Sequence, residues 1–162
     1  MAEVKAGTEF PARAYRVTRA DLVRYAGASG DFNPIHWNER FAVSVGLPGV
    51  VAHGMYTMAL AGRALVEWLG DPGAVVEFSV RFTKPVPVPD DDAGASVTIG
   101  AKVRRLTGDG HAELDLSAVS AGERVLGQAR AVVRYRRDSA QPRSPVRLGK
   151  LAANPYTWRP WG

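Results

Sequence analysis

At 162 residues, 46% of them hydrophobic, the chain is sized for one domain with a real core. It has no cysteine, which excludes disulfides, thiolate metal sites and a cysteine nucleophile. The formal charge is +5, yet residues 1–133 carry 14 Lys+Arg against 15 Asp+Glu, and residues 134–162 carry seven basic residues against Asp138 alone. The excess is therefore C-terminal, and a basic nucleic-acid groove across the body has no support.

The N-terminal stretch has no apolar run of the signal-peptide kind, and no window reaches the ~18 apolar residues of a membrane span. The expected location is the cytoplasm. Phe10 to Val17 alternates weakly, as a short edge strand does. Thr18-Arg-Ala-Asp21 opens a helix through a capping box in which Asp21 replaces the usual Glu. That helix is expected to run to about Ala26 and stop in Gly27-Ala-Ser-Gly30. Asp31-Phe-Asn-Pro-Ile-His36 follows, kept out of helix by Pro34, and Asn38 caps a short helix ending before Gly46.

Gly54 to Leu69 reads as a helix that is apolar almost all round, with only Arg63 and Glu67 charged and Gly70-Asp-Pro-Gly73 as its stop. Such a helix, too short for a bilayer, belongs in a core. From residue 74 the period becomes two. Val76, Phe78, Val80 and Phe82 share one face, and further strands are expected over 95–106, 112–121 and 124–135. Gly108-Asp-Gly110 and Ala121-Gly122-Glu123 resemble hairpin turns. The fold class is α+β, a curved antiparallel sheet wrapped around the buried helix 54–69. Residues 1–137 form this domain, and 138–162 are read as a basic, Pro/Arg-rich tail, extended or mobile.

Asp31 and His36 are the most informative candidate pair for chemistry. A partly desolvated Asp is a competent base, and a His with a pKa near ~6.5 gives or takes a proton near neutrality. Two such groups around one water orient it, remove a proton and return one to a neighbouring carbon. Asn33 lies between them, placed to hold either side chain. The competing reading of the spacing is an Asx turn with a surface histidine. At the start of the apolar helix, the free amide of Gly54 suits a thioester oxygen gaining negative charge. His53, Trp37 and Tyr56 are candidate pocket residues, with capping or core packing as their alternative. His36, His53 and His111 show no metal-ligand spacing, and Asp90-Asp91-Asp92 is read as a solvated loop.

The string Tyr25-Ala-Gly-Ala-Ser-Gly-Asp-Phe-Asn-Pro-Ile-His36, with Ala42, Ala52-His-Gly-Met55 and Arg81-Phe-Thr-Lys-Pro-Val86 downstream, resembles the MaoC-like, (R)-specific enoyl-CoA hydratase family over about residues 5–135. Gly70 to Phe82 further resembles the catalytic subunits of actinobacterial (3R)-hydroxyacyl-ACP dehydratases. The resemblance implies a hot-dog fold and a homodimer or heterodimer of hot-dog subunits. It also implies syn hydration of trans-2-enoyl thioesters of CoA or acyl carrier protein (ACP), giving (3R)-3-hydroxyacyl products. Asp31 and His36 would activate the water, Asn33 support them and Gly54 hold the thioester oxygen, with no metal or organic cofactor. Gly62 stands where some members carry a serine. A non-catalytic or partner-dependent subunit and an acyl-CoA thioesterase remain as alternatives, Glu67 being the only acid on the central helix. Arg136, Arg137, Arg143, Arg147 and Lys150 suit docking of an acidic carrier protein, or simply solubility.

Overall fold

The computed structural model describes residues 5–135. Five strands, β1 (Glu9–Val17), β2 (Val75–Phe82), β3 (Ala95–Leu106), β4 (His111–Ser120) and β5 (Glu123–Arg134), pair antiparallel in the order β1-β3-β4-β5-β2. Three helices precede the β2–β5 run: α1 (Arg19–Ser29), α2 (Glu39–Ser44) and α3 (Gly54–Leu69). The expected domain limit at 137 and the basic tail, with its five candidate docking residues, lie outside the described residues.

The sheet buries one face because its strands alternate. In β3, Ala95, Val97, Ile99, Ala101 and Val103 point inward, while Ser96, Thr98 and Lys102 face out. Against that inner face lies α3, contacting β1, β2 and β3 and burying Thr57, Leu60, Ala61, Ala64 and Leu65. A sheet curled around one central helix is the hot-dog fold. The bounds of α3 match those expected from its apolar run, and Gly70 at φ 68 ends it.

Three local expectations need correction. The first helix continues past Ala26 to Ser29 and stops at Gly30, φ 76. Small residues are tolerated inside a helix, whereas the left-handed cap that ends it suits glycine. Next, Pro34 opens a 3-10 turn, Pro34–His36, instead of standing outside helical structure. Proline lacks only an N–H that the first turn leaves unpaired anyway. Finally, Val76 is 54% exposed, because the β2–β5 ladder slips between Val75 and Glu77 and again between Ser79 and Arg81. Strict alternation fails at a bulge.

The Thr18–Asp21 capping box is present on both sides. Arg19, the next residue, donates to the Val88 carbonyl and pairs with Glu39 of α2. The start of α1, the start of α2 and the strand-like segment around Val88 are thereby tied together, which holds to each other the two helices that flank the intervening loop.

Candidate active site

That loop turns on itself immediately after Gly30. The Asn33 backbone N–H donates to Asp31 Oδ1 at 3.2 Å, an Asx turn, and the Ile35 N–H donates to Asn33 Oδ1 at 3.2 Å. Asn33 therefore restrains Asp31 through its backbone, while its side chain caps the 3-10 turn. Trp37 donates its indole N–H to the Phe32 carbonyl at 3.0 Å and leaves its ring 51% exposed. The Val51 N–H donates to the Ile35 carbonyl at 3.1 Å. The turn is thus pinned to the segment that leads into α3, and His36 is directed inward.

His36 is 7% exposed, and its Nδ1 lies 2.7 Å from the Val51 carbonyl oxygen. A carbonyl only accepts, so Nδ1 carries the proton and the neutral ring keeps its lone pair on Nε2. Nε2 faces Asp31 Oδ2 across 3.9 Å. That gap is too long for a direct hydrogen bond, yet one water about 2.8 Å from each atom reaches both. Burial pushes the His36 pKa below the ordinary histidine value, and nearby His53 acts in the same direction. The Val51 hydrogen bond and Asp31 oppose the shift without cancelling it. The surface histidine of the simple Asx-turn reading is not what folds: the turn forms, but the imidazole is buried.

His53 lies beneath this pair, 1% exposed, with its ring stacked on His36 at 3.7 Å between centroids and 23° between planes. Its Nε2 donates to the Asp31 carbonyl at 3.1 Å. Tyr25 of α1 packs against His53 at 4.8 Å and against Tyr56 at 5.2 Å. Potential ligand atoms of Asp31, His36 and His53 all lie within 4.8 Å of one another, a proximity the sequence spacing did not reveal. The arrangement nevertheless does not suit a metal ion. Lone pairs lie in the imidazole planes, and two nearly parallel stacked rings cannot aim both at one ion about 2.1 Å away.

Gly54 opens α3, where the first amides have no intrahelical acceptor and the helix dipole is positive. A Cβ at this position would lie 3.0 Å from Phe82 Cδ1 and 3.2 Å from Cγ and Cε1. The Phe82 ring therefore covers the glycine closely, and it is 49% exposed. At Gly62 the nearest atom to a built Cβ is Phe78 Cε1 at 3.8 Å, so a side chain there would meet ordinary packing. Glu67 is fully engaged: Arg63 at 2.7 Å, Arg13 at 3.1 Å and the Tyr15 hydroxyl at 3.1 Å all bind its carboxylate. The Arg63 hydrogen bond, first among these partners, holds its pKa below the usual range.

With this geometry in place, the comparisons with known proteins are decisive for family. A model described as the MaoC-like domain matches residues 3–119. The chain belongs to the MaoC-like family. It is 39% identical over 112 residues to the 3-hydroxyacyl-thioester dehydratase X of Mycobacterium tuberculosis, covering 69% of this chain and 36% of that protein. To the 3-hydroxybutyryl-CoA dehydratase of Methylorubrum extorquens it is 30% identical over 135 residues, covering 82% of both. Among solved structures, a MaoC-like dehydratase superposes with a TM-score of 0.80 at 41% identity, covering 83% of this chain and 41% of that one. The chain spans about a third of the length of the M. tuberculosis relatives it matches.

Residue identity brought Asp31, His36 and Gly54 into view, and the family motif surrounds all three. It did not reveal Val51, Tyr25 or Phe82. Val51 acts through a main-chain carbonyl, which leaves no mark on side-chain type. Tyr25 stands within the motif string, but its contact with His53 needs the turn between them. Phe82 belongs to the alternating face of β2, and nothing in that pattern says that it reaches Gly54.

Proposed function

We propose that this chain is a hydro-lyase interconverting trans-2-enoyl and (3R)-3-hydroxyacyl thioesters of CoA or ACP. The observation that carries the reading is the unprotonated His36 Nε2 facing the Asp31 carboxylate across the width of one water. In hydration, that water is oriented by Asp31 Oδ2 and gives a proton to His36 Nε2 as its oxygen bonds to C3. The C2–C3 π electrons move toward the thioester, whose oxygen takes the developing charge and accepts a hydrogen bond from the Gly54 amide. The imidazolium then returns its proton to C2. One group takes and gives the same proton on one face, so addition is syn and both residues end as they began. Dehydration is the reverse path. The R configuration follows from the family resemblance.

The M. tuberculosis and M. extorquens relatives, named dehydratases of 3-hydroxyacyl thioesters, support the reaction class. A thioesterase base at Glu67 is disfavoured, since that carboxylate is held by two arginines and a tyrosine. A hot-dog partner, either a second copy or a different subunit, completes the acyl channel in this reading. Two concavities of the chain, one lined by Arg104 and Arg130 and one by Arg13 and Glu67, both lie apart from Asp31 and His36. Exposed Phe32, Trp37, Met55 and Phe82 surround the site region instead, as expected of walls that need covering.

The test is hydration of crotonyl-CoA and a crotonyl-carrier thioester by the full chain, alone and with a co-expressed hot-dog subunit. Asp31→Asn keeps the acceptor for the Asn33 N–H but weakens the orientation of the water. Turnover should fall at least ~10²-fold. Wild-type rates in this variant, or release of free thiol in place of hydration, would overturn the assignment.

A further inference from the structure

His53 raises a question that the proposed chemistry leaves open. It is a buried polar side chain at the N-cap of α3, yet it makes no capping hydrogen bond. Its Nδ1 has no partner among the described residues. An unpaired buried acceptor carries a cost, and phenylalanine or leucine would fill the volume without it. What the imidazole contributes lies on its other edge and on its face. Because the Asp31 carbonyl accepts from Nε2 at 3.1 Å, the proton sits on Nε2 and Nδ1 holds the lone pair.

The geometry points to His53 as a positioning residue of the acid–base pair. Its Nε2–H fixes the backbone of Asp31, and its stacked ring fixes the plane of His36, so that Asp31 Oδ2 and His36 Nε2 stay one water apart. One side chain thereby grips both members of the pair, each through an interaction independent of the other. Tyr25 backs His53 at 4.8 Å and touches Tyr56, so the stack is braced from both α1 and α3. His36 is in turn held from its far edge by Val51. The inference rests on the acid–base roles proposed above for Asp31 and His36, and it assigns His53 no contact with substrate.

Two substitutions separate the interactions. His53→Phe keeps an aromatic ring for the stack, removes the unpaired Nδ1 and loses the donor to Asp31. His53→Gln keeps an N–H donor of similar reach and loses the stack. Both should lower kcat by roughly 10-fold or more with KM changed less than about 3-fold, because orientation of the water is lost and substrate binding is not. Thermal stability of His53→Phe should stay close to that of the wild type.

The second readout needs no turnover: the titration of His36 followed by NMR of the imidazole nitrogens. The titratable groups facing His36 are Asp31 from the loop and His53 from α3, with Tyr25 and Tyr56 behind His53. Replacing His53 by Phe changes the ring stacked on His36, so the midpoint should move while the Nδ1–H tautomer persists. Wild-type kcat and an unmoved midpoint in a folded His53→Phe would overturn the inference. A fall in kcat that only tracked the folded fraction in both variants would overturn it too, in favour of plain packing. Should Asp31→Asn and His36→Asn retain activity, the acid–base reading itself fails, and the NMR result still decides whether His53 controls His36.

Discussion

Replacing His36 by Asn and by Ala separates what the imidazole does for the fold from what it does for turnover. The two edges of the ring have different partners: Nδ1 donates to the Val51 carbonyl at 2.7 Å, and Nε2 faces Asp31 at 3.9 Å. Asn carries its amide nitrogen at the same branch point as Nδ1, so His36→Asn retains the donor to Val51 and deletes Nε2. His36→Ala deletes both. Val51 is 4% exposed, and an unpaired buried carbonyl costs about 1–3 kcal/mol. Alanine should thus be less stable than asparagine by at least that amount, or roughly 4–12 °C in Tm for a domain of this size. Enoyl-thioester hydration should fall ~10²- to 10⁴-fold in both, the range for loss of a general base. Thermal melts and the decay of enoyl absorbance check the two halves separately. Equal Tm values would refute the Val51 assignment, and an Asn variant within tenfold of the wild type would refute Nε2 as the base.

Other outcomes follow from the same coordinates. Burial lowers the His36 pKa, so the base form persists below the ordinary value of about 6.5. The acidic limb of kcat/KM should then lie below that pH, and a limb centred above 7 would contradict the assignment. The sign for stability matches: the unfolded chain binds the proton first, so this contribution is complete above about pH 6.5 and is lost as pH falls through the folded value. His36→Asn should flatten that part of the profile. Gly54→Ala brings a methyl within 3.0 Å of the Phe82 ring. The half-exposed ring can tilt, so stability should change by less than about 1 kcal/mol, while turnover drops at least ~10-fold if the amide serves the thioester oxygen. Ala121 sits at φ 49 beside Gly122 at φ 79 in the two-residue turn joining β4 and β5. Asn favours that conformation, and Ala121→Asn should stabilise the chain by about 0.5–1 kcal/mol. A lowered melting temperature would refute this reading of the turn.

Local pattern in the sequence was enough to mark out the elements and the candidate site residues. The apolar run from Gly54 to Leu69, the period-two strands after it and the Thr18–Asp21 box each act within a few residues of themselves, so local pattern was enough. Asp31, His36 and Gly54 were visible for a similar reason, since acid, base and glycine are chemical identities that the chain displays directly. Where α1 stops was less legible. Gly27 and Gly30 look alike as letters, and only the backbone conformation separates the one inside the helix from the one that ends it.

Tertiary structure decided the state of the site. The tautomer of His36 depends on a carbonyl 15 residues away, and its burial depends on the turn being pinned to the segment that leads into α3. His53, one residue before the glycine that drew attention to this segment, proved to be stacked under His36 and bonded to the Asp31 backbone. No spacing rule links residues 31, 36 and 53, because the chain between them is a turn, a short helix and a loop whose path is set by packing. Proton position and ring orientation are properties of contacts made across the fold, and those contacts exist only once it has closed.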